Sequence, residues 1–192
     1  MTKFAVGHTA PDFRLKALDG KNYLLSALLE RGPVVAAFFK ISCPVCQFTF
    51  PFLERIHKRY AGDGVTILGI SQDNPRDTKD FCQEFGITFP VVTDEKDYPV
   101  SNAYGLTHVP TIFLVDTGGK VKVNCMGFGK KDLETIAAQL AERRKMSRTA
   151  SVCPSARRRN PAVAPLPRPP HHSSPRQSRC PRCAEVPWRI RG

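Results

Sequence analysis

Two cysteines stand three positions apart in the stretch AAFFKISCPVCQFTFPFLERI, where an apolar run becomes a helical pattern. A pair such as Cys43 and Cys46 can ligate a metal, cycle between dithiol and disulfide, reduce a peroxide, or serve as two small apolar residues. Placement narrows the choice. Cys43 follows the apolar run and opens the helix, so its sulfur is expected beside unpaired backbone N–H groups and the positive end of the helix dipole. That environment favours thiolate, the nucleophilic form. Cys46 lies one turn further along, within reach of a mixed disulfide on Cys43. Pro44 restrains the intervening loop and suits a first helical turn, and Pro44 and Val45 are the residues of this loop expected to meet a substrate. A structural zinc site needs four ligands, and the other C-x-x-C, Cys180–Cys183, lies in an Arg/Pro-rich segment far along the chain. No metal and no cofactor are expected. Cys82, beside Phe81 and Phe85, and Cys125, on a late strand, read as packing residues, and His171-His172 have no partners with which to form a site.

The elements that must position this pair follow from periodicity. Asp12–Leu18 alternates Phe13, Leu15 and Ala17 against Arg14 and Lys16, and Asp19-Gly20 then turns the chain into a second short strand. Ser26 is expected to cap a short helix running through Glu30. VVAAFFK is a strand buried on both faces, and a helix is predicted from Pro44 to Tyr60, kinked at Pro51. VTILGIS (65–71) is another buried strand, and NPRDTKDFCQEFG is a helix with Pro75 in its first turn and Gly86 at its end. The strand-helix-strand unit requires a parallel pairing. TIFLVDTGGKVKVNCMGF makes an antiparallel hairpin, and KKDLETIAAQLAERRKM closes the domain as an amphipathic helix. Val109-Pro110 precedes the first strand of that hairpin. A cis bond there would turn the backbone sharply and leave the Val109 main chain free to pair with an extended substrate. The expected fold class is α/β, a mixed central sheet flanked by helices with an N-terminal β-hairpin.

Composition divides the chain into a domain, 1–146, and a tail, 147–192. The first holds 19 Lys and Arg against 16 Asp and Glu, the second ten Arg against one acid, so most of the +12 net charge belongs to the tail. Nine of the 17 prolines lie there as well, with Trp188 its single aromatic residue, a composition too poor in apolar surface to offset the entropy of ordering. The tail is expected to be disordered and solvated. Arg157-Arg158-Arg159 would attract phosphates, but nucleic acid is not expected as a partner without a recognition fold or stacking aromatics. Arg, Pro, Ala and Ser without Lys, Phe or Tyr is also what a GC-rich gene yields out of frame, which resequencing would test. MTKFAVGHTAPDF contains no continuous apolar segment, and no run approaches the ~20 residues of a membrane span. A cytoplasmic protein with no membrane partner is expected, and an odd count of seven cysteines argues against a structural disulfide framework.

Together C-P-V-C after VVAAFFKIS, the hairpin APDFRLKALDGKNYLL before it and THVPTIFLVDTGGKV after it resemble the thioredoxin-like superfamily. Over residues 4–145 the chain is similar to its redoxin branch, which joins TlpA- and ResA-type thiol-disulfide reductases to peroxiredoxins of the AhpC/TSA type. The resemblance implies a thioredoxin-like fold, Cys43 as attacking and Cys46 as resolving residue, and Pro110 cis and facing the pair. It further implies a protein or small-molecule disulfide as substrate and an electron-donating dithiol partner. Thioredoxins carry Trp where this chain has Ser42 and a buried Asp where it has Ala37, which bears on proton transfer and potential. Lys40 stands three residues before Cys43, where an ammonium turned to the sulfur would favour thiolate. The peroxiredoxin pattern P-x-x-x-T-x-x-C is met by Ala36 and Lys40 at its Pro and Thr positions. Disulfide exchange is therefore the preferred reading, with peroxide reduction by Cys43, resolved by Cys46, as the alternative.

Overall fold

The computed structural model describes residues 5–152, with side chains through Met146. Arg157–Arg159, His171-His172 and the Cys180–Cys183 pair lie outside the described residues, as does most of the segment expected to be a tail. In chain order the elements are β1 (Arg14–Lys16), β2 (Asn22–Leu24), α1 (Leu25–Leu29), β3 (Val34–Phe39), α2 (Pro44–Tyr60), a 3-10 turn (Ala61–Asp63), β4 (Thr66–Ser71), α3 (Pro75–Glu84), β5 (Val91–Thr93), α4 (Pro99–Ala103), β6 (Thr111–Val115), β7 (Val121–Met126) and α5 (Lys130–Val152). Five strands form one sheet in the order β5-β4-β3-β6-β7. β3, β4 and β5 run parallel, while β6 is antiparallel to β3 and β7 to β6. This is the mixed α/β architecture expected, with β1 and β2 as the separate N-terminal hairpin.

β3 is central and wholly buried because its residues are apolar on both sides. Val35, Ala37 and Phe39 join α2, α3 and α5 in one cluster, through Phe50, Leu53, Phe81 and Ile136. Val34, Ala36 and Phe38 join the other, with Leu25 and Leu28 of α1 and Tyr104. Each fully buried Phe contributes roughly 1.5–3 kcal/mol. This two-sided burial fixes the C-terminal end of β3, where the chain turns into the cysteine pair.

The hairpin turns by donation from Gly20 N–H to the Ala17 carbonyl at 2.9 Å, with Gly20 at φ +84°, a value that glycine adopts without a Cβ penalty. It docks on the β5 edge, where Leu18 N–H donates to Val91 O at 3.0 Å. On the opposite side, Gly7 N–H donates to Val121 O at 2.8 Å.

Three expectations need correction. Ser26 does not cap α1; the N-cap is Leu24, and the Ser26 N–H donates to Oδ1 of Asp12, 14 residues upstream, at 3.0 Å. A carboxylate on the hairpin fills the acceptor position that a local hydroxyl was expected to fill. β1 spans Arg14–Lys16 rather than Asp12–Leu18, since only these residues pair with β2. α5 continues to Val152, past the end expected at Met146. The sequence reading also passed over β5 and α4. Asp97 and Tyr98 adopt φ values of 56° and 51° ahead of α4, and the buried Asp94 carboxylate accepts from the Val100 and Ser101 amides at 3.2 and 2.7 Å. α2 spans the predicted range and passes through Pro51 as one helix.

Candidate functional site

Cys43 is the N-cap of α2, in extended conformation (φ −88°, ψ 113°), because Pro44 at the first helical position cannot continue the strand hydrogen bonding and its ring is preset for helix. The Cys43 side chain is half-buried, whereas Ser42, Pro44 and Val45 are exposed around it. Its thiol donates to the Val109 carbonyl oxygen at 3.5 Å, and the Val109–Pro110 peptide bond is cis. Pro110 is buried and Val109 half-buried. The fold thus assembles the C-P-V-C loop and the Val109-Pro110 segment, 66 residues apart in sequence, into one site.

Cys46 has no exposure. Burial pushes its thiol up to about 12, with the Cys43 side chain and the Asp73 charge adding to the rise and the Lys40 backbone N–H opposing it. The two sulfurs therefore differ in access: one faces outward beside Val109, the other lies one turn inside the core. Cys43, Cys46, Cys82 and Cys125 are all free thiols. Burial lifts Cys82 and Cys125 to about 11 each, and both lie in or against the core around Phe39 and Phe81, which agrees with packing.

The loop preceding Cys43 is held from three directions. Cys43 N–H donates to Lys40 O at 3.2 Å. Ile41 N–H donates to Asp73 Oδ2 at 2.7 Å, and the Gln47 side-chain amide donates to Ile41 O at 2.9 Å. Asp73 is itself set by its N–H donation to Ser71 Oγ at 3.1 Å, and Ser71 Oγ pairs with Thr78 Oγ1 at 2.8 Å. The end of β4 and the start of α3 thus brace the cysteine loop. Lys40 directs its Nζ over the Tyr98 ring, 5.7 Å from the centroid.

An aromatic shoulder flanks the pair. Phe48, Phe52 and Phe128 stack mutually with centroids 4.8–5.4 Å apart, and Phe48 is 56% exposed beside the exposed Val45. Gly127 N–H donates to Pro110 O at 2.7 Å, which brings the Phe128 loop to the Val109-Pro110 segment. Sequence reading overlooked Asp73, Tyr98 and Phe128. Each acts across 30 or more residues in the chain, and spacing carries no signal for such contacts.

Residues 6–124 match the model of the AhpC/TSA family. The chain is 39% identical over 122 residues to a thiol-disulfide oxidoreductase ResA of Geobacillus thermodenitrificans, covering 63% of this chain and 69% of the relative. It is 38% identical over 135 residues to the ResA of Geobacillus kaustophilus, covering 69% and 76%. Among solved structures, the thioredoxin domain of a thiol-disulfide oxidoreductase from Bacteroides vulgatus superposes with a TM-score of 0.64 at 26% identity, covering 72% of this chain and 99% of that one. A thiol:disulfide interchange protein of the thioredoxin family from Chlorobium tepidum gives 0.60 at 29%, covering 71% and 97%. The architecture described above is thioredoxin-like.

Proposed function

The chain belongs to the AhpC/TSA family, and from that membership and the Cys43–Cys46 geometry we propose that it exchanges disulfides through a Cys43–Cys46 dithiol couple. It is an oxidoreductase of the thiol-disulfide class, like its ResA relatives. In this reading Cys43, as thiolate, attacks one sulfur of a substrate disulfide; the substrate S–S bond breaks and a mixed disulfide forms on Cys43. Cys46 then attacks the Cys43 sulfur, expels the substrate as a thiol, and leaves Cys43–Cys46 oxidised. A dithiol partner returns the pair to the reduced form, and in a reducing cytosol the net direction is reduction of substrates.

The observation that carries the reading is the unequal burial of two sulfurs on one helical turn. The half-buried Cys43 is available to a macromolecular disulfide, and the fully buried Cys46 is available only to what is already attached to Cys43. The Val109 carbonyl beside Cys43 supports docking of an extended substrate backbone, and the Phe48–Phe128 shoulder supports a polypeptide with apolar residues near its disulfide. Pro44 and Val45, both exposed, complete the substrate-facing rim.

The peroxidase alternative differs in chemistry: peroxide would oxidise Cys43 to a sulfenic acid, and Cys46 would condense with it. Two positions weigh against it. Ala36 is fully buried in β3, and Lys40 offers an ammonium over Tyr98 where a peroxidatic site would offer a hydroxyl. The test is stopped-flow oxidation of the reduced full chain by oxidised insulin and, separately, by hydrogen peroxide. Fast disulfide exchange lost in Cys43→Ser, with a mixed disulfide trapped in Cys46→Ser, is the expected result. Equal activity of both variants, or peroxide oxidation orders of magnitude faster than that of a free thiolate, would sink the proposal.

A further inference from the structure

A substrate that meets Cys43 brings side chains next to its own reacting cysteine, and the fold leaves a hollow within their reach. The Cys43 thiol lies 3.5 Å from the Val109 carbonyl oxygen, and Val109 is part of the wall of a cavity of about 220 Å³. Gln72, Tyr98, Ser101, Asn102 and His108 form much of the rest, and none of the residues lining it is acidic. The space suits one side chain, with hydroxyl, amide and imidazole groups around it.

The Tyr98 wall is set by its backbone. Asp97 and Tyr98 take left-handed φ values of 56° and 51°, uncommon for residues with a Cβ. Asn102 holds both: its side-chain amide donates to Asp97 O at 2.7 Å and its N–H to Tyr98 O at 2.8 Å. Over the ring so presented lies the Lys40 ammonium, 5.7 Å from the centroid. Lys40 is half-buried at the end of β3, three residues before Cys43, and forms no ion pair among the described residues. Two acidic side chains at this end of the sheet are already engaged, Asp73 by the Ile41 amide and Asp94 by those of Val100 and Ser101, and Asp97 is exposed. A cation without a carboxylate thus stands on the ring that walls the hollow beside the reactive sulfur.

Resting on the exchange reading above, we propose that Lys40 and the Tyr98 hollow select polypeptide disulfides in which an aspartate or glutamate neighbours the reacting cysteine. The substrate backbone pairs at Val109, and the acidic side chain lies along the hollow with its carboxylate toward the Lys40 ammonium. The covalent step is unaltered: the Cys43 thiolate attacks one substrate sulfur, the substrate S–S bond breaks, a mixed disulfide forms on Cys43, and the other substrate sulfur leaves as thiolate. Lys40 acts on which disulfide is presented, and a solvent-accessible charge pair of this kind is worth about two- to fivefold in rate.

The test mixes the reduced full-length chain with disulfide-linked dimers of the capped peptides Gly-X-Cys-Gly and Gly-Cys-X-Gly, where X is Asp, Asn or Lys. Formation of the Cys43 adduct is read by acid quench and peptide mapping. The Asn peptides report the reactivity of Cys43 itself, so the quantity of interest is the Asp-to-Asn rate ratio. In at least one of the two peptide orders that ratio is expected to fall about two- to fivefold in Lys40→Gln and to recover in Lys40→Arg, while the Lys peptide gains. An unchanged ratio overturns the proposal. So does an equal fall for all three peptides, because Lys40 would then act through the reactivity of Cys43, and so does an equal change in Lys79→Gln, an exposed lysine on α3, because net charge alone would then explain it. Oxidised glutathione is run alongside, and a loss in Lys40→Gln seen with glutathione but not with the Asp peptides overturns the assignment to polypeptides. If Lys40→Gln does not fold, Lys40→Met gives the same readout. Failure of the unsubstituted chain to form an adduct with any peptide would refute the exchange reading itself, and it would appear before any substitution at Lys40 is made.

Discussion

Alkylation of the folded, reduced protein should rank its thiols by access and by thiolate fraction. Iodoacetamide reacts with thiolate, so a thiol raised from 9.0 to about 12, as Cys46 is, reacts about a thousandfold more slowly near pH 7 than an ordinary thiol. Cys82 and Cys125, raised to about 11, lose about a hundredfold by the same reasoning. Cys46 and Cys125 are further shielded by complete burial, while Cys82 is half-buried. The expected order is Cys43 first by a wide margin, then Cys82, then Cys125, with Cys46 last. The assay is a short pulse of reagent on the full chain at pH 7, a quench, and peptide mapping of the four positions; a second pulse after denaturation should bring all four to a common rate. The Cys46 rate should still climb between pH 9 and 10, as it must for a thiol titrating near 12. Labelling of Cys46 as fast as Cys43 in the folded protein would refute the division of labour on which the proposed function depends.

Glu54 is buried and accepts from both the N–H and the hydroxyl of Thr88, with Lys58 at 3.3 Å. Burial pushes its carboxyl up, but the Thr88 and Lys58 contacts outweigh it and the net displacement is below 4.5. A carboxyl lowered in the native state stabilises the fold above its unfolded pKa and ceases to do so as pH falls through the native one. Glu54→Gln should therefore cost about 1–3 kcal/mol at pH 7 in urea titrations, with the gap to wild type closing below pH 4.5; a gap that persists at pH 2 would contradict this. Gly32→Ala would drive a Cβ into the carbonyl of Gly64, a backbone group with little freedom to retreat, and should destabilise by about 1–3 kcal/mol in the same titration. Asp12→Ala removes the acceptor for Ser26 and Phe13 amides, both at 3.0 Å, and should lower stability by roughly 0.5–2 kcal/mol, whereas Ser26→Ala should change it little.

What could be read in the sequence was what neighbours in the chain decide. Pro44 at the start of α2, the two-sided apolar run of β3, Asn74-Pro75 opening α3 and the Asp19-Gly20 turn all act within a few residues, and each marks its element where the structure has it. The cysteine pair was legible for the same reason. What escaped depends on side chains reaching across the fold. Asp12 caps a helix 14 residues away, Asp94 caps α4 from outside it, and Asp73 grips a loop 32 residues upstream. β5 is only three residues long, and its place in the sheet comes from pairing with β4 rather than from any pattern of its own. Lys40 stands three residues before Cys43 along the chain, yet its Nζ lies over the ring of Tyr98, whose left-handed backbone no local motif announces.

The path of the N-terminal segment has a bearing on how copies of this protein meet one another. Residues 7–10 pair with the start of β7, residues 17 and 18 pair with β5, and Ala10, Phe13 and Ala17 are buried on the face between. The segment straps the sheet from one margin to the other and occupies backbone groups that would otherwise invite a strand from a second molecule. A chain shortened to begin near Lys21 would bare both margins and an apolar trough together, and should aggregate rather than merely lose stability. Because these pairings cover the outer side of β5 and the start of β7, the strap guards solubility as well as stability.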